Sequence, residues 1–112
     1  MFTYRYLLRH ELIDTRAQRW MWAALLNRDP NLFYESGRAA LRFDARDWVG
    51  EISVPTMVII PDRDEVVPVR AQRDLAARLA DPVVIEIEDA GHASVLSRPE
   101  VYVKAIDEFL DG

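Results

Sequence analysis

The sequence predicts an α/β domain in which two adjacent parallel strands, each followed by a helix, come after an all-helical segment. Three observations lead to this prediction. Two short, continuous apolar runs, at 56–60 and 83–87, have the composition of buried strands. A helical pattern follows each run, and a right-handed crossover between parallel strands is the usual arrangement for that order. Between about residues 15 and 41 the apolar pattern is helical.

Size and composition limit the possible functions. With 112 residues, half of them apolar, the chain has the size of one domain with a real core. It contains no cysteine, which rules out disulfides and thiolate metal sites and suits a reducing compartment, so we expect a cytoplasmic protein. The net charge of −5 and the scattered basic residues give no reason to approach nucleic acid.

The chain carries no sequence signal for membrane insertion or export. No apolar run approaches the roughly 20 residues of a membrane span, and arginines interrupt the apolar start of the chain. Charge is unevenly distributed, with a net +2 in residues 1–50 and −7 in residues 51–112. We therefore predict a boundary near Gly50 between the helical segment and the α/β part.

The first predicted helix spans about residues 15–28. Either Asp14 or Thr15 is available as its N-cap. Its apolar face is formed at helical spacing by Ala17, Trp20, Met21, Ala24 and Leu25. This periodicity predicts an amphipathic helix.

A second, weaker helix and a connector follow. Asp29 supplies an N-cap, and the proline after it suits the first turn of a helix that runs to about Leu41 and is interrupted by Gly37. Residues 42–54 have no sustained periodicity and end at Pro55, so they are predicted to connect the helical segment to the first strand.

The α/β part consists of strand, helix, strand and helix. Between the strands at 56–60 and 83–87, Pro68 opens a helix over 69–80, whose inward face comprises Leu75, Ala76 and Leu79. The sequence Ser-Arg-Pro-Glu at 97–100 predicts a capping box for the last helix. We expect that helix to bury Tyr102, Ile106, Phe109 and Leu110.

One polar residue follows each strand and is a candidate for chemistry. Because the carboxyl ends of parallel strands meet at one edge of a sheet, Asp64 and His92 are expected to lie close together although 28 residues separate them. A carboxylate bonded to one imidazole nitrogen fixes the tautomer and leaves the other nitrogen free to accept a proton. We expect Gly91 to allow the tight turn that presents His92.

Simpler interpretations of these residues stay open. Asp64 could cap the turn before Pro68, and His92 could be a solvated loop histidine. The acidic cluster of Asp62, Asp64 and Glu65 predicts ordinary turn carboxylates rather than a metal site, because the spacing of a calcium loop is missing. We expect no metal and no cofactor.

The motif Pro-Thr-Met-Val-Ile-Ile-x-x-x-Asp64-x-Val-Val-Pro, followed by Ala-Gly-His92-Ala-Ser and a C-terminal helix, resembles the C-terminal part of the α/β-hydrolase superfamily. The resemblance implies a partial α/β-hydrolase fold, with 51–112 as its βαβα core part and 1–50 as two or three helices of a cap or lid. It also implies a hydrolase with a catalytic triad in which Asp64 is the acid and His92 the base. The family usually has glycine where this chain has Pro61.

The nucleophile elbow of that family, Gly-x-Ser-x-Gly, is absent from the sequence. None of the four serines has glycine both two residues before and two after it: Ser36, Ser53, Ser94 and Ser97. Ser94 is expected to form hydrogen bonds within its loop rather than to act as a nucleophile. We therefore expect a C-terminal fragment of a serine-type hydrolase, inactive alone, that acts on an ester or related small apolar substrate. An N-terminal hydrolase half, or self-association, would cover its open sheet edges.

A non-catalytic remnant that binds a ligand or another subunit is the alternative, and the missing nucleophile favours it.

The resemblance allows four aromatic residues to line an acyl-binding pocket, although helix-spaced aromatics are more often core: Trp20, Trp22, Phe33 and Tyr34. His10 is expected at the surface, and Trp48 is expected to pack the connector against the sheet. The reaction subtype stays open among esterase, lipase, epoxide hydrolase, dehalogenase and acyltransferase.

Overall fold

The computed structural model describes residues 18–112. Their elements in chain order are α1 (Gln18–Leu26), α2 (Pro30–Arg42), a 3₁₀ turn (Val49–Glu51), β1 (Thr56–Pro61), α3 (Val69–Arg78), β2 (Pro82–Ile87), α4 (Ser94–Ser97) and α5 (Pro99–Asp111). Each predicted helix and strand is therefore present among the described residues, and the 3₁₀ turn and the one-turn helix α4 are additional to the prediction. Within the described residues, none of the helices has the length and apolar character needed to cross a membrane.

The two strands pair in parallel and form the centre of the fold. Their register runs from Thr56 opposite Pro82 to Pro61 opposite Ile87, so both strands end at the same level. Helix α3 provides the crossover between them and packs against β1. This arrangement confirms the predicted α/β class, and it places the loops after β1 and β2 side by side.

The core is small and lies around the sheet. Ile60 is fully buried, and Ile87 at the end of β2 is 6% exposed. The other buried apolar residues are Val49, Ala76, Leu79, Ala90, Ala93 and Ala105. A bidentate ion pair at 2.7 Å joins the Arg73 guanidinium of α3 to the Glu86 carboxylate of β2 and reinforces this packing at the surface.

Several residues expected in the core are exposed among the described residues. Leu75 is 41% exposed, Ile106 43% and Leu110 73%. On α5 the inward stripe follows Tyr102, Ala105 and Phe109, and the sheet formed by the described residues has two strands, so it is too narrow to cover a wider stripe. Strand β2 is less buried than its composition predicts, because Val83 and Val84 are nearly half exposed, whereas the residues of β1 are half-buried or buried.

Two local predictions about helix ends and breaks are also wrong. Helix α2 runs without a break through Gly37, where a Cβ atom would meet nothing within 4 Å, so the glycine weakens the helix without ending it. The capping box at 97–100 does not form as predicted, because Ser97 ends α4 and Arg98 takes the cap position of α5. In contrast, Asp29 caps α2 as predicted, with its carboxylate accepting from the Asn31 backbone N–H at 2.8 Å.

Three aromatic residues of the front helices, those whose side chains the structure describes, are exposed rather than buried. Trp20 is 69% exposed, Phe33 56% and Tyr34 63%, so their interpretation as plain core is wrong for the described residues. Trp48 stacks edge-on against the Phe43 ring, with centroids 6.3 Å apart, in the connector itself. Some predictions fall on positions or side chains outside the described part: Ala17, Met21, Trp22 and Leu25 on the first helix, its caps Asp14 and Thr15, and His10.

The burial of Ile60 leads to a prediction about stability. Replacing Ile60 by alanine removes three fully buried carbon atoms near the end of β1, and we expect the free energy of unfolding to fall by about 2–5 kcal/mol. Urea denaturation followed by circular dichroism measures this loss. Val103→Ala on α5 is the control, because Val103 is 54% exposed and should cost less than about 0.5 kcal/mol. Equal losses in the two variants would contradict the proposed core.

Candidate active site

The ends of β1 and β2 are joined by hydrogen bonds that continue beyond the sheet. The Asp62 N–H donates to the Ile87 carbonyl at 3.1 Å, and the Arg63 N–H donates to the Ala90 carbonyl at 2.9 Å. The Asp62 carboxylate accepts in return from the Ala90 N–H at 3.2 Å. These three bonds hold the turn that carries Asp64 against the loop that follows β2.

The loop after β2 has one unusual backbone conformation. Asp89 has φ 54°, which is the left-handed region that aspartate tolerates better than most residues. None of the described glycines has a positive φ. The tight turn therefore occurs at Asp89, whereas the sequence predicts it at Gly91. The Arg63 guanidinium contacts the Asp89 carboxylate at 2.7 Å, and Arg98 donates to the Asp89 carbonyl at 2.5 Å.

The Asp64 carboxylate has hydrogen-bond partners on both oxygens. Its Oδ1 accepts from the backbone N–H groups of Val66 at 2.8 Å and Val67 at 2.9 Å. Its Oδ2 accepts from Gln72 Nε2 at 3.1 Å and lies 3.1 Å from Nδ1 of His92. The side chain is only 5% exposed. Asp64 therefore both caps its own turn and faces the histidine.

These contacts keep Asp64 ionised at neutral pH. Burial raises the pKa of Asp64, but the N–H of Val67, the His92 ring and the N–H of Val66 together outweigh it. The net result is a pKa below the usual value for aspartate. A charged carboxylate can accept a hydrogen bond from a protonated ring nitrogen and can stabilise an imidazolium beside it.

His92 presents a partly exposed ring to the Asp64 carboxylate. Its side chain is 43% exposed, in contrast to that of its partner. Because an ionised carboxylate can only accept, Nδ1 must carry the proton in this contact, which leaves Nε2 of the neutral ring as an acceptor. The pair is thus arranged to take a proton from a hydroxyl group or water at Nε2.

Ser94 is placed unlike a nucleophile. It is fully buried at the start of α4, and its hydroxyl oxygen lies 2.5 Å from the Tyr102 hydroxyl of α5. The Ser94 N–H donates to the Gly91 carbonyl at 3.0 Å. These contacts give Ser94 the local hydrogen-bonding role expected for it and connect the His92 loop to α5.

The acidic residues of the β1 turn are engaged by the protein itself. Asp62 and Asp64 accept the hydrogen bonds described above, and Glu65 is exposed. Among residues 18–112, no group of three or more His, Cys, Asp or Glu side chains is arranged to hold a metal ion. Pro61, the departure from the usual glycine, ends β1 as a buried residue, and its carbonyl accepts from the Asp64 N–H at 3.3 Å.

The structure also brings in one residue that the sequence pattern did not indicate. Gln72 lies in the first turn of α3, eight residues after Asp64, and reaches the same carboxylate oxygen as His92. A glutamine eight residues after a strand-end aspartate forms no recognisable motif in the sequence. Only the fold of the turn between them makes the contact visible.

Comparison with curated proteins finds relatives that match most of this chain. It is 38% identical over 71 residues to a pimeloyl-[acyl-carrier protein] methyl ester esterase of Chromobacterium violaceum, covering 63% of this chain and 28% of that protein. The esterase of the same name from Neisseria meningitidis serogroup A is 31% identical over 83 residues, covering 74% and 27%. Monoacylglycerol lipase ABHD6 of Mus musculus is 32% identical over 79 residues, covering 70% and 24%.

Comparison with solved structures also finds a protein with a similar fold. A crystal structure of MGS-MChE2, described as an alpha/beta hydrolase enzyme from a lagoon-sediment metagenome, has a TM-score of 0.61 and 24% identity, covering 67% of this chain and 34% of that one. No family profile matches the sequence. The chain spans less than a third of the length of each of these three curated relatives.

The lowered pKa of Asp64 leads to a prediction about pH. A carboxyl group with a lowered folded-state pKa stabilises the fold above its unfolded pKa of about 4, and this contribution is lost as the pH falls through the folded value. We expect Asp64→Asn to lower the free energy of unfolding by about 1–3 kcal/mol at pH 7, and the difference from wild type to shrink below pH ~4.

Urea denaturation at a series of pH values measures this difference. The exposed Asp107, replaced by asparagine, is the control for removing one carboxylate from the surface. A destabilisation by Asp64→Asn that stays constant from pH 7 to pH ~3 would contradict the assigned ionisation, because it would not depend on the charge.

Proposed function

Because this chain is related to the α/β-hydrolases by sequence and by fold, we propose that Asp64 and His92 are the acid and the base of a hydrolytic catalytic triad. The observation that carries the proposal is the contact of 3.1 Å between Asp64 Oδ2 and His92 Nδ1. It joins a buried, ionised carboxylate to a partly exposed imidazole at the carboxyl ends of two parallel strands. In the proposed domain organisation, 51–112 is the C-terminal βαβα part of the core and 1–50 belongs to a helical cap.

The proposed mechanism follows from this contact. Asp64 holds the proton on Nδ1, so that Nε2 of His92 accepts the proton of a nucleophilic hydroxyl as that oxygen attacks the ester carbonyl. The imidazolium that forms is stabilised by the adjacent carboxylate. The same proton then passes from Nε2 to the oxygen of the leaving alcohol. In a second cycle, water attacks the acyl group on the nucleophile and the carboxylic acid product is released.

The nucleophile and the oxyanion donors are proposed to lie on polypeptide other than these 112 residues. None of the four serines stands in a Gly-x-Ser-x-Gly motif, and Ser94 is buried against Tyr102. We therefore expect little or no hydrolysis by this chain alone. An N-terminal hydrolase half is the proposed partner, with self-association as the other way to cover exposed residues such as Val83 and Val84.

The proposed substrate is an ester or a related small apolar molecule. The curated relatives described above are named as a methyl ester esterase and a monoacylglycerol lipase, and both names denote the cleavage of carboxylic esters. The lack of cysteine fits the cytoplasmic location that we propose. The alternative of a non-catalytic binding or association module is favoured by one observation, the missing elbow, and the experiment below separates the two.

A chimeric enzyme tests the proposed role of His92. In the Chromobacterium violaceum relative, the segment that corresponds to residues 51–112 of this chain is replaced by those residues, and hydrolysis of a short aryl ester is measured. We expect turnover that falls by roughly 10³-fold or more in His92→Ala, since loss of the base removes the activation of the nucleophile. Arg70→Ala, an exposed change in α3, is the control and should retain activity.

The two hypotheses give different results for the chimera. Circular dichroism first establishes that the chimera and its variants are folded. A folded chimera without turnover, or one whose turnover is unchanged by His92→Ala, would overturn the catalytic proposal and favour the binding module.

A further inference from the structure

Gln72 makes two hydrogen bonds with one amide nitrogen. Its Nε2 donates to Oδ2 of Asp64 at 3.1 Å and to the backbone carbonyl of Val67 at 2.9 Å. Both acceptors belong to the turn that follows β1, whereas Gln72 belongs to α3. The glutamine therefore connects the helix to the turn that carries the proposed acid.

The chemistry of the acceptors fixes the orientation of this amide. An ionised carboxylate and a backbone carbonyl can only accept, so the end of Gln72 that faces both must be the NH₂ group. Its two protons serve the two bonds, and a flipped amide would place an oxygen against two oxygens. Gln72 thus has one favourable orientation at this site.

The contacts form a closed ring around Asp64. The Val67 N–H donates to Oδ1 of Asp64, the Val67 carbonyl accepts from Gln72, and Gln72 donates to Oδ2 of Asp64. The hydrogen bonds to Oδ1 come from the turn itself. The position of Oδ2 is therefore fixed by groups that lie outside this turn. In the described part of the chain, the side chains of His92 and Gln72 contact Oδ2.

We propose that Gln72 is a positioning residue that holds Oδ2 of Asp64 in place for Nδ1 of His92. Its effect on catalysis rests on the proposed function, but its effect on the Asp64–His92 contact does not. Gln72 lies on α3, and the Arg73–Glu86 ion pair joins this helix to β2, the strand that leads to His92. The helix thus supports both members of the pair.

The first test measures the Asp64–His92 contact without any activity. A histidine Nδ1 proton held by a carboxylate gives a far-downfield NMR resonance, which can be followed in the full 112-residue chain labelled with ¹⁵N-histidine. The chain has only two histidines, and His92→Ala assigns the signals. In Gln72→Met, which keeps the size of the side chain but removes both N–H donors, we expect the resonance of the His92 Nδ1 proton to lose intensity or vanish. The reason is that the proton would then exchange faster with water.

A second variant separates hydrogen bonding from packing. Gln72→Glu keeps the shape of the side chain but places an acceptor against the two acceptors, Asp64 Oδ2 and the Val67 carbonyl, so we expect a larger effect than with methionine. A packing role would rank the two variants differently, because glutamate is the closer match in shape. Arg70→Met, an exposed change on the same helix, is the control and should leave the resonance unchanged.

The second test uses the active chimera. There we expect Gln72→Met to lower kcat roughly five- to tenfold, the loss that one hydrogen bond of ordinary strength would cause, with KM changed less than about twofold. If the unsubstituted chimera is inactive, this result counts against the proposed function but not against the role of Gln72. That role is decided by the resonance measured in the 112-residue chain. The positioning role is overturned if folded Gln72→Met and Gln72→Glu chains keep the wild-type resonance, or if Arg70→Met alters it equally.

Discussion

The arrangement of this molecule depends on the parallel pairing of two strands that end at the same level. Pro61 lies opposite Ile87, and the ladder continues for two more backbone bonds into the loops, from Asp62 and Arg63. A shift of the register by one residue would turn every side chain of a strand to the other face and would separate the two loops. The contact between the proposed acid and base therefore has its origin in the sheet.

Asp64 illustrates how a polar group can be buried at such an edge. Taking a carboxylate out of water is costly, and only hydrogen bonds to the charged form offset the cost. The turn supplies two backbone N–H groups, while His92 and Gln72 supply side-chain donors. Stability and the proposed chemistry consequently use the same contacts, so the simpler interpretation of Asp64 as a turn cap and its proposed role as an acid are both compatible with the structure.

Much of the fold could be predicted from the sequence because the signals are local. Apolar runs gave the two strands, and the Asp-Pro pair at 29–30 gave the start of α2. The order of elements then implied that Asp64 and His92 would meet. What failed depended on the surroundings: the burial of Ile106 and Leu110 requires a surface wider than two strands provide.

The missed parts of the site have a similar explanation. The contact of Gln72 depends on how the turn after β1 folds back onto α3, and no periodicity encodes that path. The sequence predicts the tight turn at Gly91 because glycine is the usual residue for such backbone, but the positive φ lies at Asp89. In this loop an aspartate adopts the left-handed conformation, and an arginine from each side holds it.

This feature at Asp89 makes the site vulnerable at a position that takes no part in the proposed chemistry. The residues that the backbone tolerates at φ 54° are few, chiefly glycine, asparagine and aspartate, and branched side chains are the least suited. The substitutions that position 89 tolerates are therefore limited by backbone geometry rather than by reactivity. A homologue could retain Asp64 and His92 and still lose their alignment through a single valine or isoleucine at this turn.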